Sequence, residues 1–276
     1  MTLALLDGDI IAYRAACGMQ TVYDFGDTGK VVEVNVEAAA EEAVKLAQEW
    51  ADAVDAKEVV VGFTSSDKFR TRLLPSYKAN RPGAKPPAHA AAVQAIKDKF
   101  PFHLIRGLEA DDILGILMTT PKYADRAVIV SIDKDFNTIP GRLFNPTKGV
   151  GPIRIPPPMA DYNWMYQTLI GDSTDNYKGC PGIGPKKAVD ILGVVKGVRW
   201  PTLEELWPRV VAAFKAKKLT EDDALVQARV ARILRREDYD KTTKEIILWH
   251  PTTPIRIPVE AASASGASVA TTPTAA

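Results

Sequence analysis

Twice in this chain an apolar run ends on an aspartate, and that pattern sets strict terms for folding. Residues 3–6 are stopped by Asp7, Gly8 and Asp9, and residues 127–132 by Asp133. Short apolar runs of this kind read as buried strands. Residues 10–16 continue the first run as a helix. Residues 58–63, which carry Val59, Val60 and Val61, and residues 102–105 read as further strands. Residues 36–56 are rich in Ala and Glu with helical periodicity, and residues 110–119 form another helix. Strands alternating with helices predict an α/β fold around a mainly parallel sheet. Gly26-Asp27-Thr28-Gly29, between residues 21–25 and 31–34, marks a hairpin.

Two stretches depart from this rhythm. Residues 69–99 are polar and basic and contain Pro75, Pro82, Pro86 and Pro87. Beyond Pro156 the chain turns helical, over residues 160–171, 203–217 and 220–236, with a Gly/Pro turn at 179–185 and a late strand at 246–249. The expected division is therefore a core over 1–156, a helical region over 157–258 and a disordered tail over 259–276. The tail is Ala/Ser/Thr-rich and lacks apolar periodicity. A chain of 276 residues can bury a large core. No apolar run approaches the length of a bilayer span, and the opening residues are too short and acidic for a signal peptide. A cytoplasmic location is expected, with no membrane partner. Two cysteines, Cys17 and Cys180, indicate no disulfide framework. The formal net charge of +1 neither supports nor excludes nucleic acid, since a rack of carboxylates can cancel a basic footprint.

Four acidic clusters stand out: Asp7/Asp9, Glu109/Asp111/Asp112, Asp133/Asp135 and Asp172/Asp175. Any one of them could be an ordinary helix N-cap. Their placement argues otherwise. Asp7 and Asp133 follow predicted strands, and the Glu109 cluster opens the helix after another. In open parallel sheets that edge is the ligand-binding edge. Carboxylates gathered there repel one another unless cations neutralise them. Oxygen donors without His or Cys select Mg²⁺ or Mn²⁺, and a pair of such ions suits phosphodiester cleavage. The three histidines are scattered, and no Gly-x-Ser-x-Gly elbow is present, so zinc and acyl-transfer chemistry lack support.

The basic stretch offers Lys68, Arg70, Arg72, Lys78, Arg81 and Lys85, with Tyr77 among them. It reads as a solvated face or as a phosphate-binding segment near the carboxylate edge, with Tyr77 able to stack on a base. Residues 179–188 form a tight turn that opens a helix, whose N–H groups could cradle a phosphate beside Lys186 and Lys187. Pro185 interrupts the spacing a P-loop requires.

With these residues in place the chain resembles the 5′ nuclease, or flap endonuclease-like, superfamily, and is most similar to the 5′–3′ exonucleases of short-tailed bacteriophages. The matching segments are LLDGDIIAYR, FRTRLLPSYKANR, LEADDILG, VIVSIDKDF, GDSTDNYKGCPGIGPKKA, VARILRREDY and KEIILWHP. The resemblance implies a PIN-like α/β core with a helical arch over about 69–99 and a helix–turn–helix DNA clamp over about 172–193. It implies one metal site from Asp7, Glu109 and Asp111 with Asp112 close by, and a second from Asp133, Asp135, Asp172 and Asp175. Lys78 and Arg81 would face the scissile phosphate, and Arg14 would help hold the substrate. The turn from Gly182 through Gly184 to Lys186 and Lys187 would grip duplex backbone, with a K⁺ ion on its carbonyls. The implied partner is double-stranded DNA with 5′ ends, nicks or flaps, together with RNA–DNA hybrid, acted on by a monomer. One departure is plain. Ser65 stands where the family commonly carries an aspartate ligand, and Asp67, two residues on, is the candidate replacement or else a helix cap. A PIN-type ribonuclease and a non-catalytic branched-DNA-binding protein remain as alternatives.

Overall fold

The computed structural model describes residues 1–81, 83–193 and 199–258. β1 (Thr2–Asp7) runs into α1 (Gly8–Gly18), and a hairpin of β2 (Gln20–Asp24) and β3 (Lys30–Val34) leads to α2 (Val36–Asp52) and β4 (Ala56–Phe63). Next come α3 (Phe69–Leu73), α4 (His89–Lys99), β5 (Phe102–Leu104), α5 (Ala110–Met118), the short α6 (Pro121–Ala124) and β6 (Ala127–Val130). β7 (Gly141–Phe144) and β8 (Ile153–Ile155) complete the first half. The second half carries α7 (Pro157–Ile170), α8 (Pro185–Leu192), α9 (Leu203–Lys215) and α10 (Glu221–Ala231). It ends on β9 (Tyr239–Asp240), β10 (Glu245–Leu248) and β11 (Ile255–Pro258). The expected disordered tail, 259–276, lies outside the described residues, and among the described residues no helix is long and apolar enough to cross a membrane.

The strands order as β5-β4-β1-β6-β7-β8, with β8 antiparallel to β7 and the rest parallel. β1 sits at the centre, Leu5 opposite Val60 on one side and Ile129 on the other. Residues 3–7 and the whole of β6 are buried, which is why these strands read as continuous apolar runs and not as alternating ones. The chain leaves β1 toward β4 and returns later to β6, so the connections diverge at the carboxyl ends of β1 and β6. That crevice is the binding position of open α/β sheets, and Asp7 and Asp133 flank it.

α1, α2 and α4 cover one face of the sheet. Ala43, Ala47, Trp50 and Ala51 recur at helical spacing on α2 and bury against Ile11, Ala12 and Ala15 of α1, while Ala39 packs with Ala16 and Ala88. At Gly8 a Cβ would lie 2.5 Å from the Phe63 ring, so glycine lets α1 start hard against β4. α5 covers the other face, together with the three-stranded sheet β11-β10-β9. A third apolar cluster, built on Trp164, Trp207 and Phe214, joins α7 to α10.

The structure redraws several sequence-based boundaries. α2 stops at Asp52 because Asp55 takes a left-handed turn (φ 51°) into β4. The expected arch is helical only at its ends. Its middle is turns around Pro75, Pro86 and Pro87, which cannot continue a helix. α4 buries Ala92 and Ile96 in the core and does not overhang the sheet. α10 ends at Ala231, five residues early, because the backbone of Arg232 and Leu234 turns aside to bond Arg70 and Asp112. Packing also crosses the expected division at residue 157: Ile233, Leu234, Tyr239, Ile246 and Leu248 fill the core beside Leu3 and Leu5.

Candidate metal centre and nucleic-acid face

At the crevice, Asp7 ends β1 and caps α1, accepting the Ile10 N–H at 3.2 Å. Burial, then Asp9 and Asp133, push its carboxyl up to about 8. Asp9 turns the other way and accepts the Thr64 N–H at 2.9 Å, tying α1 to the end of β4. Asp133 lies beyond the end of β6 and caps a 3₁₀ turn, Lys134–Thr138, by accepting the Asp135 N–H at 2.9 Å. Asp135 is pushed up to about 7 by burial and then by Asp133 and Asp172. Asp172 follows α7, and its Oδ1 accepts the N–H groups of Thr174 and Asp175 at 2.7 and 3.2 Å. A two-way backbone pairing of Asp172 with Tyr177 closes this loop and turns Asp175 back toward the crevice.

Glu109, Asp111 and Asp112 open α5, with ligand oxygens all within 4.8 Å of one another. Their environments differ. Asp112 is fully buried and has both oxygens committed: the Arg70 guanidinium donates to each at 2.7 Å, and the N–H groups of Glu109 and Leu234 add bonds at 3.1 and 3.0 Å. Glu109 accepts from Arg70 (2.8 Å), Tyr77 Oη (3.0 Å) and Lys78 Nζ (2.6 Å). Burial opposes its charge, yet Arg70 and Lys78 hold its carboxyl down to about 2. Asp111 makes no such pairs, and burial with Asp112 and Glu109 drives it well above the usual carboxylate range.

Residues 77–81 bridge the two groups. The Tyr77 hydroxyl reaches both Glu109 and Asp175 Oδ2 (3.1 Å), and Lys78 Nζ lies 3.4 Å from Asp175. Arg81 pairs with Asp175 on the outside. Lys78 adopts a left-handed backbone (φ 56°) and donates its N–H to the Asp175 carbonyl at 2.8 Å. Side chains from the ends of β1 and β6, from α5 and from the loop after α7 thus form one continuous acidic crescent.

The remaining candidates fall in separate places. Tyr77 is 4% exposed, so its ring is packed inside and not free to stack on a base. Its hydroxyl is bonded to the Glu109 and Asp175 carboxylates. Asp67 lies beside Arg106, with 3.6 Å between charged atoms, and α3 starts at Phe69, with Lys68 at the N-cap position and no side-chain cap. Ser65 is buried, its N–H bonded to the Leu108 carbonyl at 3.0 Å. Arg14 is exposed on α1. Gly182 (φ 72°) and Gly184 lie at the surface before α8, with Lys186 and Lys187 exposed and Lys187 Nζ donating to the Gly182 carbonyl at 3.1 Å. Only α8 lies within 172–193; the helix preceding the turns is α7.

Two participants escaped the sequence reading. Arg70 was one cation of a basic run, expected to be solvated or on phosphate. It is 1% exposed and joins α3, α5 and the Val230 and Arg232 carbonyls. Its Phe69 neighbour, fully buried, was the available signal. Gln167, buried on α7, donates to Asp135 Oδ1 at 2.5 Å. Nothing in its local sequence marks it.

The donor set suits hard divalent cations. It is all oxygen, and three of its carboxyls are pushed up by burial and by neighbouring carboxylates. The comparisons with known proteins agree in kind. Residues 2–142 match the family described as 5′-3′ exonuclease, N-terminal resolvase-like domain. The exodeoxyribonuclease of Enterobacteria phage T3 is 34% identical over 230 residues, covering 70% of this chain and 73% of that protein. The exonuclease of Escherichia phage T7 is likewise 34% identical over 230 residues, covering 73% of this chain and 75% of its own. The fold matches a flap endonuclease of bacteriophage T5 in a complex with DNA and metal ions. That match has a TM-score of 0.55 and 19% identity, covering 84% of this chain and 93% of that one.

Proposed function

This chain belongs to the 5′–3′ exonuclease family, and we propose that it is a metal-dependent 5′ nuclease that hydrolyses DNA from 5′ ends and at 5′ flaps. The observation that carries this reading is the acidic crescent at the carboxyl edge of the sheet. Four chain-distant segments converge there, and burial together with neighbouring carboxylates holds Asp7, Asp111 and Asp135 above the usual carboxylate range, a cost that bound cations would relieve.

Asp7, Glu109 and Asp111 would hold one Mg²⁺ or Mn²⁺, and Asp133, Asp135, Asp172 and Asp175 a second. Such ions supply an activated water and stabilise the leaving oxygen. Asp112, saturated by Arg70, supports the first group by fixing the start of α5. Lys78 and Arg81 rest on Glu109 and Asp175 and would take the scissile phosphate in exchange. The exposed turn at Gly182 and Gly184, with Lys186 and Lys187, would hold duplex backbone through N–H groups and charge. A K⁺ ion on its carbonyls would compete with Lys187 for Gly182. The duplex-binding part would comprise α7, the turns and α8, and the catalytic part the six-stranded sheet with its helices.

Digestion of 5′- and 3′-labelled linear, nicked and flapped DNA, with Mg²⁺ or excess chelator, tests this directly. The reading requires metal-dependent release of 5′ label. Full activity in chelator would remove the metals from it, and release only of 3′ label would reverse the polarity.

A further inference from the structure

We propose that Gln167 is a positioning residue that aims Asp135 at the second metal ion; this rests on the two-metal reading above. α7 grips the 3₁₀ turn Lys134–Thr138 at two points one helical turn apart. Asn163 Nδ2 donates to the Asn137 carbonyl at 2.8 Å, and Gln167 Nε2 donates to Asp135 Oδ1. Both amides therefore lie on one face of a helix whose own position is fixed by buried Trp164, Met165 and Leu169. Asp135 is held from other sides as well. Its N–H donates to Asp133, and its carbonyl accepts the Thr138 hydroxyl at 2.8 Å. Arg235 Nη2 pins the end of the turn through the Thr138 carbonyl at 2.9 Å. These contacts fix the backbone of Asp135, and Gln167 alone of them fixes its carboxylate.

The chemistry of that contact is specific. A carboxylate offers two oxygens, and an amide N–H on Oδ1 orients the group while leaving Oδ2 for a cation. Because the amide is neutral, it does not lower the charge that draws the ion in. Lys78 on Glu109 shows the opposite arrangement, in which a cation occupies the oxygen a divalent ion would use. Ligand-orienting partners of this kind typically change metal affinity tenfold or more when removed.

The test is Mn²⁺ titration calorimetry on the full-length protein, with melting curves taken in chelator. Gln167→Met keeps length and bulk but removes the donor. We expect wild type to bind two ions and Gln167→Met to bind one of them roughly tenfold more weakly. Asn163→Ala removes the neighbouring bond to the same turn without touching a carboxylate, and should lower the melting temperature with both affinities kept. Gln167→Leu gives a second route if the methionine variant folds poorly. In an Asp135→Asn background, Gln167→Met should have no further effect on binding. An unchanged isotherm for both Gln167 variants, or equal weakening in Asn163→Ala, overturns the proposal. Failure of wild type to bind Mn²⁺ at all overturns the two-metal reading and this inference with it.

Discussion

The two halves of the acidic crescent are built on opposite electrostatic plans. Around Glu109 and Asp112 the protein supplies its own cations: Arg70, fully buried, and Lys78. Around Asp133, Asp135 and Asp172 the described contacts are an amide, a hydroxyl and backbone N–H groups, with one mostly exposed cation, Lys134, 3.5 Å from Asp172, while Asp175 at the border of the two halves takes Lys78 and Arg81. The first half therefore compensates Glu109 and Asp112 from within and leaves Asp111 beside them without such a partner. In the second, Asp133, Asp135 and Asp172 have largely neutral partners, and the proposed ion would supply the missing charge. Proximity of carboxylates is thus not one physical condition, and identical substitutions in the two halves should have opposite effects on stability.

The largest expected effect tests that contrast. Asp112→Asn leaves Arg70 buried against a neutral amide, and breaking a buried pair costs about 3–5 kcal/mol. Asp135→Asn instead relieves repulsion, so it should raise the melting temperature in chelator while abolishing cleavage. Thermal melts of both variants in chelator and in Mg²⁺ check the pair. Destabilisation by Asp135→Asn in chelator would remove the distinction between the halves.

Lys78→Ala comes next. The lysine sits on Glu109 in place of a divalent ion, and it is also the cation proposed for the scissile phosphate. Its loss should lower turnover by roughly 10²–10³-fold, the usual cost of one preorganised charge-stabilising contact. The same variant should bind Mn²⁺ more tightly, because a competitor for Glu109 has gone. Turnover and binding moving in the same direction would show that Lys78 supports the metal and does not compete with it.

A smaller, opposite pair of effects should appear with pH in chelator. Asp7 and Asp135 are raised to about 8 and about 7, so the folded state holds their protons more tightly than the unfolded chain does. Stability from these groups is present at acid pH and is lost as pH rises from about 4 through 8. Glu109 has the reverse sign. Its carboxyl is depressed to about 2, so its contribution is present above the unfolded value and is lost as pH falls toward 2. Melting in chelator should therefore drop between pH 5 and 8, and saturating Mg²⁺ should flatten that drop. A melting temperature independent of pH over this range in chelator would contradict the uncompensated burial of Asp7 and Asp135.

The same contrast explains what the sequence could disclose. β1 and β6 were legible because strands buried on two faces must be continuously apolar, and Asp7 and Asp133 were legible because they break those runs. The convergence of Asp172 and Asp175 on the crescent rested on resemblance alone, since it depends on a loop closed by the pairing of Asp172 with Tyr177. Arg70, Tyr77 and Gln167 were misread or missed because a buried polar residue is defined by its partners, and those lie 32 to 162 residues away along the chain. The early end of α10 has the same cause. Helical propensity runs on to Arg236, but the Asp112 carboxylate and the Arg70 guanidinium claim the backbone first.

The smallest expected effect concerns Asp67, the residue nearest the missing carboxylate at Ser65. As a ligand it would be indispensable, and as a cap it would contribute about 1 kcal/mol. Its geometry fits neither role. The side chain pairs with Arg106 at 3.6 Å, both partners are substantially exposed, and α3 has no side-chain cap. Exposed pairs of this kind contribute between zero and about 1 kcal/mol, because solvent screens them and holding two long side chains costs entropy. Asp67→Asn should therefore shift the melting temperature little, less in high salt than in low, and leave both turnover and the Mg²⁺ concentration for half-maximal cleavage unchanged. A raised Mg²⁺ requirement would mean that the loop after β4 rearranges on metal binding and brings Asp67 to the first group. Arg106→Gln separates the cases further. If the surface pair is all that Asp67 makes, the two substitutions should have equal effects on stability, and the double variant should lose no more than either alone.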